Sequence, residues 1–370
     1  MNNVRRPIQL RKAAIRKANR DMWARQLLAI GALAMSIGIN APTTAKADEG
    51  GVSFWIPGFF GSLAAAPQQP GLSVTAIDYY DTVKAGADVA LARDITIRGF
   101  NTGLNVNINA NLNSRINFGF LIPSYTFEQR FLGGQSTILL LAGVGHVRTT
   151  LDGTIAGTLG PFGFSQFGSI TGQTTAPSDL IPMYTLRWNE GVNNFMTYVT
   201  ADFPVGAYDR TSLANTGIGH YALDGGVGYT YLDQPNGHEL TAVAGFTNNY
   251  TNPYTNYKNG VDFHLDWGAS QFLSKQLFIG AVGYVYNQLT GDSGSGDHVG
   301  PFMSRVVGVG PQVGYIFPLG NSQGYLNLKA YEEFDYHDRP HGYNAWLTFS
   351  ISPPTPTTPS SVSPRMSSMR

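Results

Sequence analysis

The chain has 370 residues, of which 24 are basic, 24 acidic and none cysteine; 13% are charged and 12% aromatic. The missing cysteines exclude a disulfide scaffold, a Cys-ligated metal centre and a cysteine nucleophile. The balanced charge gives no footing for nucleic acid. Charged residues are about half as frequent as in an ordinary soluble domain, yet the aromatic content is too high for a disordered chain.

The N-terminus explains the apparent neutrality. Residues 1–47 carry nine basic side chains and one acid, Asp21, followed by the apolar run Leu27 to Ile39 and the small-x-small sequence Ala45-Lys46-Ala47. That order predicts a secretory signal peptide over 1–47. The apolar run is too short to span a bilayer as a helix. Cleavage after Ala47 leaves 15 basic and 23 acidic residues, a mature charge near −8.

No later segment is apolar enough for a membrane helix, so a closed barrel of strands is the remaining way across a bilayer. Ser53 to Pro70 is apolar but broken by Pro57, Pro67 and Pro70, and residues 48–70 read as a plug-like segment folded into a lumen. Leu104 to Asn113 then alternates aliphatic with asparagine over ten positions, the two-residue period of a strand, at a length suited to a membrane. Gly153 to Ser178, rich in Gly and Thr, reads as a long loop. Single faces of further candidate strands follow in Phe195, Thr197, Val199, Ala201 and Phe203, in Leu240, Ala242, Ala244 and Phe246, and in Leu347, Phe349 and Ile351. Val261 to Trp267 alternates apolar with ionisable residues. Pro311 implies a bulge or an edge. Tyr79, Tyr80, Tyr284, Tyr286, Tyr331 and Tyr336 lie near strand ends, where interfacial girdles use tyrosine, although tyrosine also favours strands in general.

The pattern yields about thirteen candidate strands, including 95–112 and 115–129. Bacterial outer-membrane barrels have even strand numbers, so twelve is preferred and fourteen is the alternative. The expected fold is an all-β transmembrane antiparallel barrel over 71–352. Residues 353–370 form a Pro/Ser/Thr-rich tail expected to be disordered.

Catalytic motifs are missing: there is no P-loop, no His-Glu-x-x-His and no Gly-x-Ser-x-Gly. No cofactor or metal is expected; Asp292 with Asp297 is at most a weak calcium loop. Charges facing lipid at mid-depth are costly, about 2–4 kcal/mol for a basic residue. Asp262, His264, Asp266, Lys329, Glu333 and Asp335 are therefore expected to face the lumen, the last three if a bulge preserves register. They would brace the barrel or line a substrate path. Phe54, Trp55, Phe59 and Phe60 are the candidates for capturing an apolar solute. Two other readings are an outer-membrane barrel enzyme such as a lipase or acyltransferase, and a secreted soluble β-protein.

Several blocks resemble the MetA-pathway of phenol degradation family: Gly51 to Ala65, Asp262 to Trp267, Gly283-Tyr284 leading to Gly291–Gly294, Val309 to Tyr315, and Lys329 to Asp335 with Arg339-Pro340 and Trp346 to Phe349. The resemblance implies an outer-membrane barrel that imports hydrophobic compounds in connection with aromatic degradation, and no enzyme activity. Its partners would be outer-membrane lipid, small hydrophobic or aromatic solutes and the barrel-assembly machinery. No residue-level assignment comes with it. The chain departs from such barrels in continuing past Ile351, where a terminal aromatic or apolar residue usually serves as an assembly signal.

Overall fold

A computed structural model describes residues 53–85, 106–159, 162–297 and 303–354, with backbone alone for 106–110, 155–159, 162–164 and 166. The expected signal peptide, the first residues of 48–70, residues 95–105 and the tail beyond 354 lie outside the described residues.

Thirteen strands follow in chain order: β1 (Gly71–Ala85), β2 (Val106–Phe131), β3 (Gly134–Leu159), β4 (Phe162–Pro177), β5 (Ile181–Glu190), β6 (Asn193–Asp202), β7 (Ala222–Asp233), β8 (His238–Asn249), β9 (Val261–Phe272), β10 (Leu277–Gln288), β11 (Arg305–Leu319), β12 (Ser322–His337) and β13 (His341–Ser352). Every pairing is antiparallel. The first strand closes the ring by pairing with β2 (Tyr79↔Phe118) and with β13 (Tyr79↔Trp346). Closure leaves no free edge in the ring, so the wall's backbone groups are paired without water. Twelve strands form the barrel and β4 stands outside it.

Two sequence expectations change here. Strands 95–112 and 115–129 are one strand where described, because β2 continues unbroken from Val106 to Phe131. The expected loop from Gly153 to Ser178 is instead the end of β3 and the whole of β4, joined at Leu159↔Phe162. Strand β3 runs past the barrel, where its backbone groups need partners; the chain folding back supplies them. Along β3, Gln135–Leu141 pairs with β5, whereas Val144–Leu159 pairs with β4. Its neighbour therefore changes at Ser178–Leu180, where Ser178 N donates to Gly143 O at 2.9 Å.

Tight turns at Leu132-Gly133, Gly191-Val192 and Gly320-Asn321 share one end of the barrel. Gly133, Gly191 and Gly320, at φ +76°, +62° and +58°, are among its left-handed positions. Longer connections, 203–221, 250–260 and 289–304, share the other end. In outer-membrane barrels these are the periplasmic and extracellular ends respectively.

Side chains alternate across the wall. Phe195, Val199, Leu240, Phe246, Leu347 and Phe349 are exposed outward, while Asp262, His264 and Asp266 are buried inward. The asparagine strand is inverted relative to a lipid-facing strand. Asn111 and Asn113 are exposed and Leu112 is buried, because this stretch extends above the apolar band and turns its amides to water. The tyrosines divide as well. Tyr79, Tyr284, Tyr286 and Tyr331 are buried in the lumen core around Trp346, and only Tyr80 and Tyr336 of that set are exposed. Outward aromatics such as Phe203, Tyr221, Phe246 and Tyr343 lie toward the long-loop end instead. Pro311 sits opposite Ala281 within β11, without a bulge. The irregularity falls between Arg305 and Val307.

Candidate transport lumen

Residues 53–70 carry no helix or strand, so their backbone polar groups need partners from elsewhere. The inward side chains of the wall provide them. The Asp266 carboxylate accepts the backbone N–H of Gly58 at 2.9 Å and of Phe60 at 3.0 Å. The Lys329 ammonium donates to the carbonyls of Gly58, Phe59 and Phe60. Further along, Leu63 N donates to Glu239 Oε1 (2.9 Å) and Ala65 N to Thr230 Oγ1 (3.1 Å). Arg187 Nε donates to Ala64 O at 3.2 Å. Near the periplasmic turns, Gln68 Oε1 accepts from Thr126 and Thr137. The segment thus runs through the lumen, tied to β2, β3, β5, β7, β8, β9 and β12.

Four of the six expected lumen residues, Asp262, His264, Asp266 and Lys329, are inward and almost fully buried. Glu333 is also inward, accepting from Tyr284 Oη (2.8 Å) and Gly342 N (2.7 Å). Asp335 does not join them: its side chain is 52% exposed and pairs with Arg305 at 2.5 Å. The bulge opposite Arg305 and a left-handed φ of +48° at Asp335 break the alternation there.

His264 sits at the centre. Its Nε2 lies 2.9 Å from Asp224 Oδ2 and 3.3 Å from Tyr198 Oη, and its ring stacks on Trp55 at 3.7 Å. No serine hydroxyl is among its described hydrogen-bond partners, so the pair is not arranged as a hydrolytic triad. Asp224, Glu239 and Arg187 were missed from sequence. Each is an ionisable residue next to an apolar one in a wall strand, and the cost of facing lipid was signal enough to place them inward.

The aromatic residues of the lumen segment pack together. Trp55 lies 5.9 Å from Phe59 and 5.7 Å from Phe60, and Phe59 lies 6.4 Å from Trp346. Phe54, Trp55, Ile56 and Phe59 face Leu139 and Leu141 of β3, Ile181 and Met183 of β5 and Thr200 of β6 across a small cleft of about 30 Å³. Phe60 instead packs on Tyr198 at 5.4 Å. The cleft adjoins the place where β3 changes partner.

The long loops are tied down. Asp179 accepts the backbone N–H of Gly206 and of Ile218, each at 2.7 Å, anchoring loop 203–221. In that loop the Asp209 carboxyl is held below the usual carboxylate range by Thr211. Asp292 accepts from Gly260 N and Tyr257 Oη, so it braces two loops and is not an open calcium ligand. Among the described residues no three His, Asp or Glu side chains gather as a metal site.

A closed twelve-strand antiparallel barrel with an apolar exterior and a threaded lumen is the architecture of an outer-membrane barrel. Residues 94–349 match the family described by the MetA-pathway of phenol degradation, and the chain belongs to that family. In structure it is similar to an outer membrane channel from Pseudomonas putida F1, at TM-score 0.51 and 13% identity, covering 78% of this chain and 98% of that one. A Pseudomonas aeruginosa FadL homologue shows a looser likeness, at TM-score 0.32 and 13% identity over 85% and 98% of the two chains. A search of curated proteins found no match.

Proposed function

We propose that the protein is an outer-membrane channel for passive uptake of small hydrophobic compounds, single-ring aromatics among them. The observation that carries this reading is the apolar cleft between the lumen segment and the wall, lined by Phe54, Trp55, Ile56, Phe59, Leu139, Leu141, Ile181 and Met183 with Thr200 as its one hydroxyl. Family membership supports it, as does the likeness to a channel. An apolar solute gains about 25 cal/mol per Å² buried, roughly 2.5 kcal/mol for about 100 Å², enough for collection without trapping. Phe54, Trp55 and Phe59 receive the ring, and Phe60 supports Trp55 from behind. In this reading residues 53–70 act as a plug, and Asp262, His264, Asp266, Lys329 and Glu333 hold it. The solute leaves through the lumen or sideways beside Ser178–Leu180, where the β3 ladder passes from Ile181 to Pro177.

The test is crystallographic: soak crystals of the protein with bromobenzene and locate the halogen by anomalous scattering. The reading expects the signal between Trp55 and Met183. A signal elsewhere in the lumen, or none at saturating bromobenzene, contradicts it.

A further inference from the structure

On the outer wall above the apolar band, Arg115 of β2 stands directly opposite Arg148 of β3. Both are exposed. Like charges directly opposite on neighbouring strands repel and destabilise the sheet. Among the described residues no carboxylate forms an ion pair with either guanidinium. Lys84, exposed on β1, faces Asn113 one step along the same outward row. His146 lies one step below Arg148. Asp78, the nearest carboxylate below, accepts from Asn117 Nδ2 at 3.0 Å.

Directly beneath this basic patch the same strands turn apolar. Leu72, Leu121, Ile138 and Val144 are 64%, 54%, 47% and 54% exposed. Val144 lies four residues below Arg148 on β3, roughly 13 Å along the strand at about 3.3 Å per residue. The arrangement is amphipathic along one face: a hydrocarbon-facing band, then two arginines side by side at headgroup height on the long-loop side. Facing side chains at such a pair lie about 5 Å apart at Cβ, so both arginine forks can reach one phosphate, which they recognise bidentately.

We propose that Arg115 and Arg148, with Lys84 beside them, bind a phosphate of the phosphorylated glycolipid in the outer leaflet, lipid A, whose acyl chains lie along Leu72, Leu121, Ile138 and Val144. Continuity with the apolar band points to a lipid and not to free phosphate. The site stands apart from the lumen and does not depend on what the channel carries.

Native mass spectrometry of the detergent-purified protein tests it, with bisphosphorylated lipid A, dephosphorylated lipid A and inorganic phosphate as probes. The expected result is retention of bisphosphorylated lipid A, at least tenfold weaker retention of the dephosphorylated form, and no displacement by millimolar inorganic phosphate. R115Q/R148Q should lose at least tenfold in retention, whereas R130Q, near the periplasmic turn, should not. A second readout covers any folding defect. In lipid-free detergent R148Q should raise the thermal midpoint by relieving repulsion, and with lipid A it should lower it relative to wild type. Equal retention by R115Q/R148Q and wild type, equal binding of the two lipids, displacement by free phosphate, or a midpoint shift of the same sign in both conditions would overturn the proposal.

Discussion

At the residue scale the lumen charges fasten an unpaired backbone. Lys329 serves three carbonyls of the lumen segment, and Asp266 serves two amides of the same turn. Lys329→Met leaves these buried carbonyls without their donor and should therefore cost at least about 1–3 kcal/mol, the penalty for an unsatisfied buried acceptor. The measurement is the temperature at which the fast-migrating folded band disappears on a gel, and single-channel conductance should rise with it. Gly58 is a second sensitive point. At φ +85°, an added Cβ would meet the Tyr331 ring at 3.0 Å, so Gly58→Ala should cost about 1–3 kcal/mol by the same assay. Asp262, His264, Asp266 and Lys329 were legible as inward because ionisable residues alternate with apolar ones around them. Their backbone partners were not legible. Which carbonyl a lysine reaches depends on a non-periodic segment hundreds of residues away. Asp335 shows the limit of alternation, since one bulge reverses every later side chain.

At the element scale the least regular feature is the join between β4 and β5. Asp179 holds loop 203–221 there through two amides. Asp179→Ala leaves both unpaired at a cost of about 1–3 kcal/mol each. Limited proteolysis should then cut within 203–221 in the variant and not in the wild type, with the barrel itself intact. The strands from β5 to β13 were readable because lipid outside and packed side chains inside impose a strict two-residue period. The β2–β3–β4 extension was not. Above the membrane, water replaces lipid outside, so the period persists but its polarity inverts, as at Asn111, Leu112 and Asn113. The Gly/Thr composition of β4 resembles a loop because no apolar face is demanded of it. Tyrosine was ambiguous for a related reason: the lumen core around Trp346 and the interfaces both favour a large ring with a polar tip.

At the scale of the whole molecule, the low charged fraction follows from a wall whose outer face must suit lipid, with charges confined to lumen, loops and rim. The wall and the lumen segment enclose an apolar cleft, and the central claim is that solutes pass by way of it. Met183 lines that cleft from the barrel wall and makes none of the hydrogen bonds that hold the segment, so Met183→Trp fills the site without unfastening it. The most direct measurement is the initial rate of labelled toluene uptake by cells lacking other hydrophobic channels. They would carry wild-type protein, Met183→Trp at equal folded abundance, or none. The account predicts a wild-type rate several-fold above the empty strain and a variant rate close to it; a variant as fast as wild type, or a wild type no faster than the empty strain, would contradict it.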